Sequence, residues 1–151
     1  MASKIEVEIE LKTPSDKLWK NLKEFVFFFP KALPHMFEKI DVIEGDGRSV
    51  GSVFVATVKP SELYPVVTTK ERIEMVDEKN KMMSYSFVEG EMLKNYKNFK
   101  ATMCVSSNKN DGSIIKYTAE FEKANAVPDP YFVTDNAAKL LHDVDDYLLK
   151  A

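Results

Sequence analysis

The sequence predicts an α+β fold: a seven-stranded, curved, mostly antiparallel sheet wrapped around one long C-terminal helix, with two short helices between strands one and two. Three observations carry this. Near the C-terminus, Val133, Ala137, Leu140, Leu141, Val144 and Leu148 recur at i, i+4, i+7, i+8, i+11 and i+15. That is one apolar stripe on a helix of roughly twenty residues, about 30 Å long. Most of the preceding chain reads as segments of strand length separated by short turns, which is antiparallel connectivity. The 5 glycines mark those turns: Gly45, Gly47 and Gly51 in one loop, then Gly90, then Gly112.

In chain order, Ile5, Val7, Ile9 and Leu11 alternate with Glu6, Glu8 and Glu10, a half-buried strand with an acidic outer face. Thr13, Pro14 and Asp16 read as N-cap, first helical residue and capping-box acid of a short helix with Leu18, Trp19, Leu22 and Phe25 on its apolar side. In FVFFFPKALPH, Pro30 and Pro34 are expected to break any continuous helix, leaving a second short helix or turn set at an angle to the first. Strands follow near 37–44, 52–58, 66–76, 81–89, 94–106 and 113–123. Phe99, Ala101, Met103 and Val105 share one parity, as do Ile115, Tyr117, Ala119 and Phe121, and Met83, Tyr85 and Phe87. These strands offer one broad apolar face. The 66–76 strand is ambiguous, because Ile73 and Met75 oppose Val66, Thr68, Lys70 and Arg72 in parity, and a bulge would reconcile them. Asp129 and Pro130 read as N-cap and first residue of the long helix, with Asp135, Lys139, Asp143, Asp146 and Lys150 mostly on its polar side. Inner positions mix large side chains with small ones such as Ala56 and Ala119, which suits either a filled core or a hollow one.

A length of 151 residues suits one domain with a sizeable core. The net charge of −3, with Lys and Arg scattered along the chain, disfavours a nucleic-acid partner. The N-terminus has no signal-peptide pattern, and the longest strongly apolar run, Phe25–Phe29, is too short to span a bilayer. The single cysteine, Cys104, leaves no internal disulfide framework or cysteine-rich zinc site. A cytoplasmic protein without integral membrane association is the expectation.

Several segments together resemble a known group. FPKALPH, EGDGRSVGSV, KERIEMVDE, YSFVEGEMLKNYKNFK, DGSIIKYTAEFEK and the closing DDYLLKA are similar, in order and over essentially the whole chain, to the major latex proteins. These form a branch of the plant Bet v 1 and pathogenesis-related class 10 superfamily, with the START-like helix-grip fold. The resemblance implies a large internal cavity between sheet and long helix. It implies as partner a small hydrophobic molecule (a sterol, fatty acid, phytohormone, flavonoid or other metabolite), with an association with defence and stress. Carried over by position, the ligand-binding wall comprises Phe54, Ala56, Val58, Met83, Tyr85, Phe87, Phe99, Ala101, Met103, Ile115 and Tyr117 from the sheet. Asn136, Ala137, Leu140 and Val144 come from the helix, and Phe25, Phe29, Leu33 and His35 stand near the entrance. One departure is the link between the short helices, usually polar or glycine-bearing in the group and here EFVFFF.

Other motifs have plain readings. EGDGRSVG lacks the Gly-Lys-Ser/Thr ending of a phosphate loop and joins two strands, so a structural hairpin loop is expected. His35 and His142 have no metal-ligand spacing, and no metal or cofactor is assigned. The inner positions identified above contain no Asp, Glu or Lys, only the hydroxyls of Tyr85 and Tyr117 and the amide of Asn136, with Lys70 and Arg72 as exceptions if their strand turns them inward. Such groups orient a ligand but supply no strong base, so no catalytic residue is assigned. The expected function is a monomeric, non-enzymatic carrier, with dimerisation left open. The alternative is an enzyme of the same fold performing condensation or isomerisation in specialised metabolism, which an inward Lys, Glu or Asp would favour. A ribonuclease finds no His–His or His–Glu arrangement.

Overall fold

A computed structural model describes residues 2–61 and 67–151. The elements are β1 (Ser3–Leu11), α1 (Ser15–Leu22), α2 (Phe25–Ala32), β2 (Phe37–Glu44), β3 (Val53–Val58), β4 (Thr68–Asp77), β5 (Met82–Gly90), a 3₁₀ turn (Glu91–Lys94), β6 (Tyr96–Ser107), β7 (Ser113–Lys123) and α3 (Tyr131–Lys150). All seven strands form one antiparallel sheet in the order β1-β7-β6-β5-β4-β3-β2. The predicted α+β arrangement is therefore the observed one. Helix α3 packs on β1 and β7, α1 on β6 and β7, and α2 on β2, so the helices share the concave face. The start of the predicted 66–76 strand, Val66, lies outside the described residues.

The stripe on α3 is buried at Val133, Ala137, Leu141, Val144 and Leu148 and half-buried at Leu140. The alternating residues of β6 and β7 are buried as predicted. At one end of the sheet Phe99 stacks on Phe121 (centroids 5.9 Å apart, planes at 20°), and Tyr96 meets both edge-on. The Tyr96 hydroxyl donates to the Pro128 carbonyl at 2.6 Å, tying the approach to α3 to β6.

Several local expectations are corrected. Neither predicted cap acts as one: Pro14 and Pro130 hold the cap positions of α1 and α3 with no side-chain cap hydrogen bond. Tertiary partners take the side chains instead. Asp129 pairs with Lys123 (2.8 Å), and Thr13 is fully buried against Asp145 of α3. Pro30 does not break α2 but lies inside it, which forfeits one intrahelical hydrogen bond. EFVFFF is largely α2 itself, and the link from α1 is only Lys23 and Glu24. In the glycine-rich loop, the Asp46 carboxylate accepts from the backbone N–H of Arg48 and Ser49 (both 2.8 Å) and from the Ser49 hydroxyl (2.8 Å). The loop thus supplies its own anion. Gly47 has φ +78°, and a Cβ there would lie 2.9 Å from the Phe27 ring, so this turn admits glycine on both counts.

Asp145 is the main polar tie between the ends of the chain. It is 6% exposed and accepts from Lys12 N (3.0 Å), Thr13 N (2.9 Å) and Thr13 Oγ1 (2.6 Å). Burial alone would raise its pKa, but the hydrogen bonds from Thr13 and Lys12 outweigh it and hold the carboxyl below its ordinary value. The end of β1 is thereby fixed on α3. Asp145→Ala should lower the unfolding free energy by about 2–4 kcal/mol, because it strands buried donors. Urea denaturation reads this directly, and an unchanged midpoint would show that the tie is dispensable.

Candidate functional site

Between α2, α3 and the β3–β5 part of the sheet the packing leaves a cavity. Its volume is about 90 Å³ for the centres of water-sized spheres. At ~10–15 Å³ of such volume per water, it holds about six to nine waters, or an organic molecule of about ten heavy atoms. The large cavity expected from the resemblance is therefore a small one here. The reason is aromatic filling: Phe25 lies 5.2 Å from Phe54 and 5.7 Å from both Phe29 and Tyr85, and Phe29 stacks on Phe37 at 5.4 Å.

The predicted wall positions divide in two. Phe25, Phe29, Phe54, Ala56, Val58, Tyr85, Phe87, Met103, Tyr117, Asn136, Ala137 and Leu140 line this cavity. Leu33, Met83, Phe99, Ala101, Ile115 and Val144 lie in the solid core, each 1% exposed or less, and are not part of the lining. His35 is exposed on the rim of a neighbouring recess of about 160 Å³, which shares Phe37, Val58 and Asn136 with the cavity. There His35 Nε2 donates to Asp143 Oδ2 at 2.9 Å, and Lys139 approaches the same oxygen at 3.3 Å. Six lining residues were not anticipated: Phe37, Ile40, Thr69, Glu71, Val133 and Leu141. Of these, Val133 and Leu141 already stood on the α3 stripe.

Glu71 overturns the expectation that no acidic residue faces inward. Strand β4 buries Thr69, Glu71 and Ile73, while Lys70 and Arg72 turn outward to Glu89 (3.7 Å) and Glu74 (3.2 Å). Two register shifts in the β4–β5 pairing, which skip Val88 and Glu74, give the strand this twist. Ile73, fully buried, sets the parity, and Thr69 and Glu71 follow it at i−4 and i−2. Glu71 is 7% exposed, and the Thr69 hydroxyl donates to its Oε2 at 2.7 Å. Burial pushes the carboxyl from 4.5 up to about 8, and the Thr69 bond offsets only part of this. Its neighbours across β3 and β5 are Phe54 and Phe87. Nearby, the Tyr85 and Tyr117 hydroxyls are 2.9 Å apart. Burial, with the Glu71 charge adding to it, raises the Tyr117 phenol. Among the described residues the cavity is thus an aromatic chamber with one carboxyl, which burial keeps protonated near neutrality.

The Pathogenesis-related protein Bet v 1 family profile matches residues 1–151. The chain is 44% identical over 148 residues to MLP-like protein 423 of Arabidopsis thaliana, covering 97% of this chain and 94% of that protein. A crystal structure of ginseng major latex-like protein 151 from Panax ginseng superposes with a TM-score of 0.87 at 21% identity, over 97% of each chain. Norcoclaurine synthase from Thalictrum flavum, solved in complex with dopamine and hydroxybenzaldehyde, gives 0.77 at 24% identity over 99% of this chain and 88% of that one. At these identities the two structural likenesses speak for the fold alone. Among the described residues no helix is long and apolar enough to cross a membrane.

The raised Glu71 pKa fixes a sign for stability. A carboxyl whose folded value lies above its unfolded value of about 4.5 favours the fold below pH 4.5, and that contribution is lost as pH rises towards 8. Glu71→Gln removes the ionisation and keeps a similar shape. The variant should gain stability relative to the native protein by on the order of 1.4 kcal/mol per pH unit across this window. Parallel urea titrations at pH 5.5 and 8 measure the difference, and equal offsets at both would show that Glu71 ionises freely.

Proposed function

The chain belongs to the Bet v 1 family, and on that premise we propose that it is a non-enzymatic binding protein for a small apolar molecule held between α2, α3 and the sheet. The observation that carries this reading is the cavity itself, walled by Phe25, Phe29, Phe37, Phe54 and Phe87 and by aliphatic groups of α3, with few polar contacts. A concave, mostly apolar site with a few convergent polar groups is the usual form of a small-molecule site. The volume favours a one- or two-ring compound. A sterol or long acyl chain exceeds it and would require α2 to move outward. Membership of the family is the ground for the rest of the reading: a cytoplasmic carrier or store, acting as a monomer, in defence or stress responses.

A second reading, an acid–base enzyme for condensation or isomerisation, is favoured by one observation, the Glu71 carboxyl in the cavity. A group that titrates near neutrality in a dry site can take up or deliver a proton. The two readings separate on the fate of the bound molecule. Protein purified gently from its own tissue is examined by native mass spectrometry, and the released compound is identified and incubated with fresh protein. Return of the compound unchanged supports the carrier, and conversion supports the enzyme.

Ala56 lines the cavity at 4% exposure. Ala56→Phe should fill much of the space and weaken binding of a one-ring ligand at least tenfold. The fold should survive, because the added ring enters a void and avoids much of the usual overpacking cost of about 1–3 kcal/mol. Calorimetric titration paired with a melting curve tests this: unchanged affinity in a folded variant would move the site elsewhere.

A further inference from the structure

The polar content of the cavity is uneven. Tyr85 and Tyr117 share one hydrogen bond, and Asn136 lies on the α3 side. Glu71 is different. Thr69 gives it one hydrogen bond, to Oε2, and no other donor among the described residues reaches the carboxyl. Among the described residues no Lys, Arg or His lines the cavity, so none of them sets a cation there to neutralise it. A buried carboxyl with one hydrogen-bond partner is a liability for folding that an apolar residue would remove. Its ring neighbours sharpen the point. Phe54 on β3 and Phe87 on β5 are its direct cross-strand partners, and ring faces attract positive charge. A carboxylate flanked by aromatic rings, with no protein cation, is the chemistry of a site for an organic cation.

We propose that Glu71 is a cation-recognition point and that the cavity takes a small apolar amine, its ring among the phenylalanines and its ammonium group on the Glu71 carboxylate. This rests on the binding reading above and names the class of ligand for it. The proton balance is definite. The amine arrives as an ammonium ion, Glu71 gives up its proton to solvent, and the pair formed in the cavity is neutral overall. Binding therefore releases close to one proton at pH 7, and the release falls towards zero above the Glu71 pKa of about 8. Affinity for the amine should rise with pH between 6 and 8, by up to tenfold per unit, and then level off. Among the described residues, the other titratable groups facing Glu71 within the lining are the two phenols, from β5 and β7, while β2, β3, β6, α2 and α3 present none there. The charges of Lys70 and Arg72 lie on the opposite face of β4, in pairs with Glu89 and Glu74.

The test uses matched probes, 2-phenylethylamine and 2-phenylethanol, which share a ring and length that suit the cavity. Each is titrated calorimetrically from pH 6 to 8.5 in two buffers of different ionisation enthalpy, so that proton release is counted. The expected result is at least a tenfold preference for the amine at pH 8, release of nearly one proton at pH 7, and loss of both in Glu71→Gln while 2-phenylethanol binds that variant as before. Equal binding of amine and alcohol, or no proton release, would overturn the amine assignment and leave the apolar-carrier reading standing. If neither probe nor a general apolar dye such as anilinonaphthalene sulfonate enters the native protein, both readings fall.

Discussion

Seven strands curled into one concave face offer more apolar surface than a single helix covers, and the rest of the structure answers that mismatch. Helix α3 lies along β1 and β7 and seals that side with its stripe of Val133, Ala137, Leu141, Val144 and Leu148. The side over β3, β4 and β5 is left to α2, an eight-residue helix whose useful cargo is Phe25, Phe28 and Phe29. Phe25, Phe28, Phe29 and Phe54 meet there with their rings tilted at 52–76°, and they fill most of that side but not all of it. The cavity is the residue of that packing. Among the described residues no further element covers it.

Two buried carboxyls show how differently this scaffold treats the same group. Asp145 meets three donors from the end of β1, and its pKa is held down. Glu71 meets one donor and two phenylalanines, and its pKa is driven up. Asp145 is therefore part of what holds the fold, and its loss leaves orphaned N–H groups. Glu71 acts against the fold over the neutral range. A destabilising group in a cavity wall is the signature expected where a site has been built at some expense to stability.

Much of the fold was legible because the glycines and short polar turns divide the chain cleanly, and because β6, β7 and α3 have strong periodicity of 2 or 3.6. Local end signals misled where a distant partner competed for the same side chain: Thr13 turns to Asp145 and Asp129 to Lys123. The cavity was harder to read. Phe99, Ala101 and Ile115 share parity with Met103 and Tyr117, yet only the latter two border empty space. That distinction depends on which part of the sheet α2 and α3 fail to cover, and no strand carries it in its own sequence. Glu71 was hidden for a different reason. In TTKERIEM the polar residues occupy both faces, so alternation has nothing to fix on except Ile73, and the register shifts at Val88 and Glu74 blur even that.

The walls of the chamber differ in how firmly they are held. The sheet side is rigid, since each of β3, β4 and β5 is paired on both edges. Helix α3 is anchored through Asp145 and through the Tyr96 bond to Pro128. Helix α2 is shorter than an isolated helix needs to be stable in water, and Pro30 denies it a hydrogen bond to the carbonyl of Val26. Ring contacts hold it, Phe28 with Tyr147 and Phe29 with Phe37, together with Arg48, which pairs with the cap residue Glu24 at 2.6 Å and lies over the Phe27 ring at 4.3 Å. Glu71, by contrast, sits on β4 in the paired interior of the sheet. Sheet and long helix thus supply the polar groups of the chamber wall, Glu71, Tyr85, Tyr117 and Asn136 among them, and the short helix supplies aromatic bulk through Phe25 and Phe29.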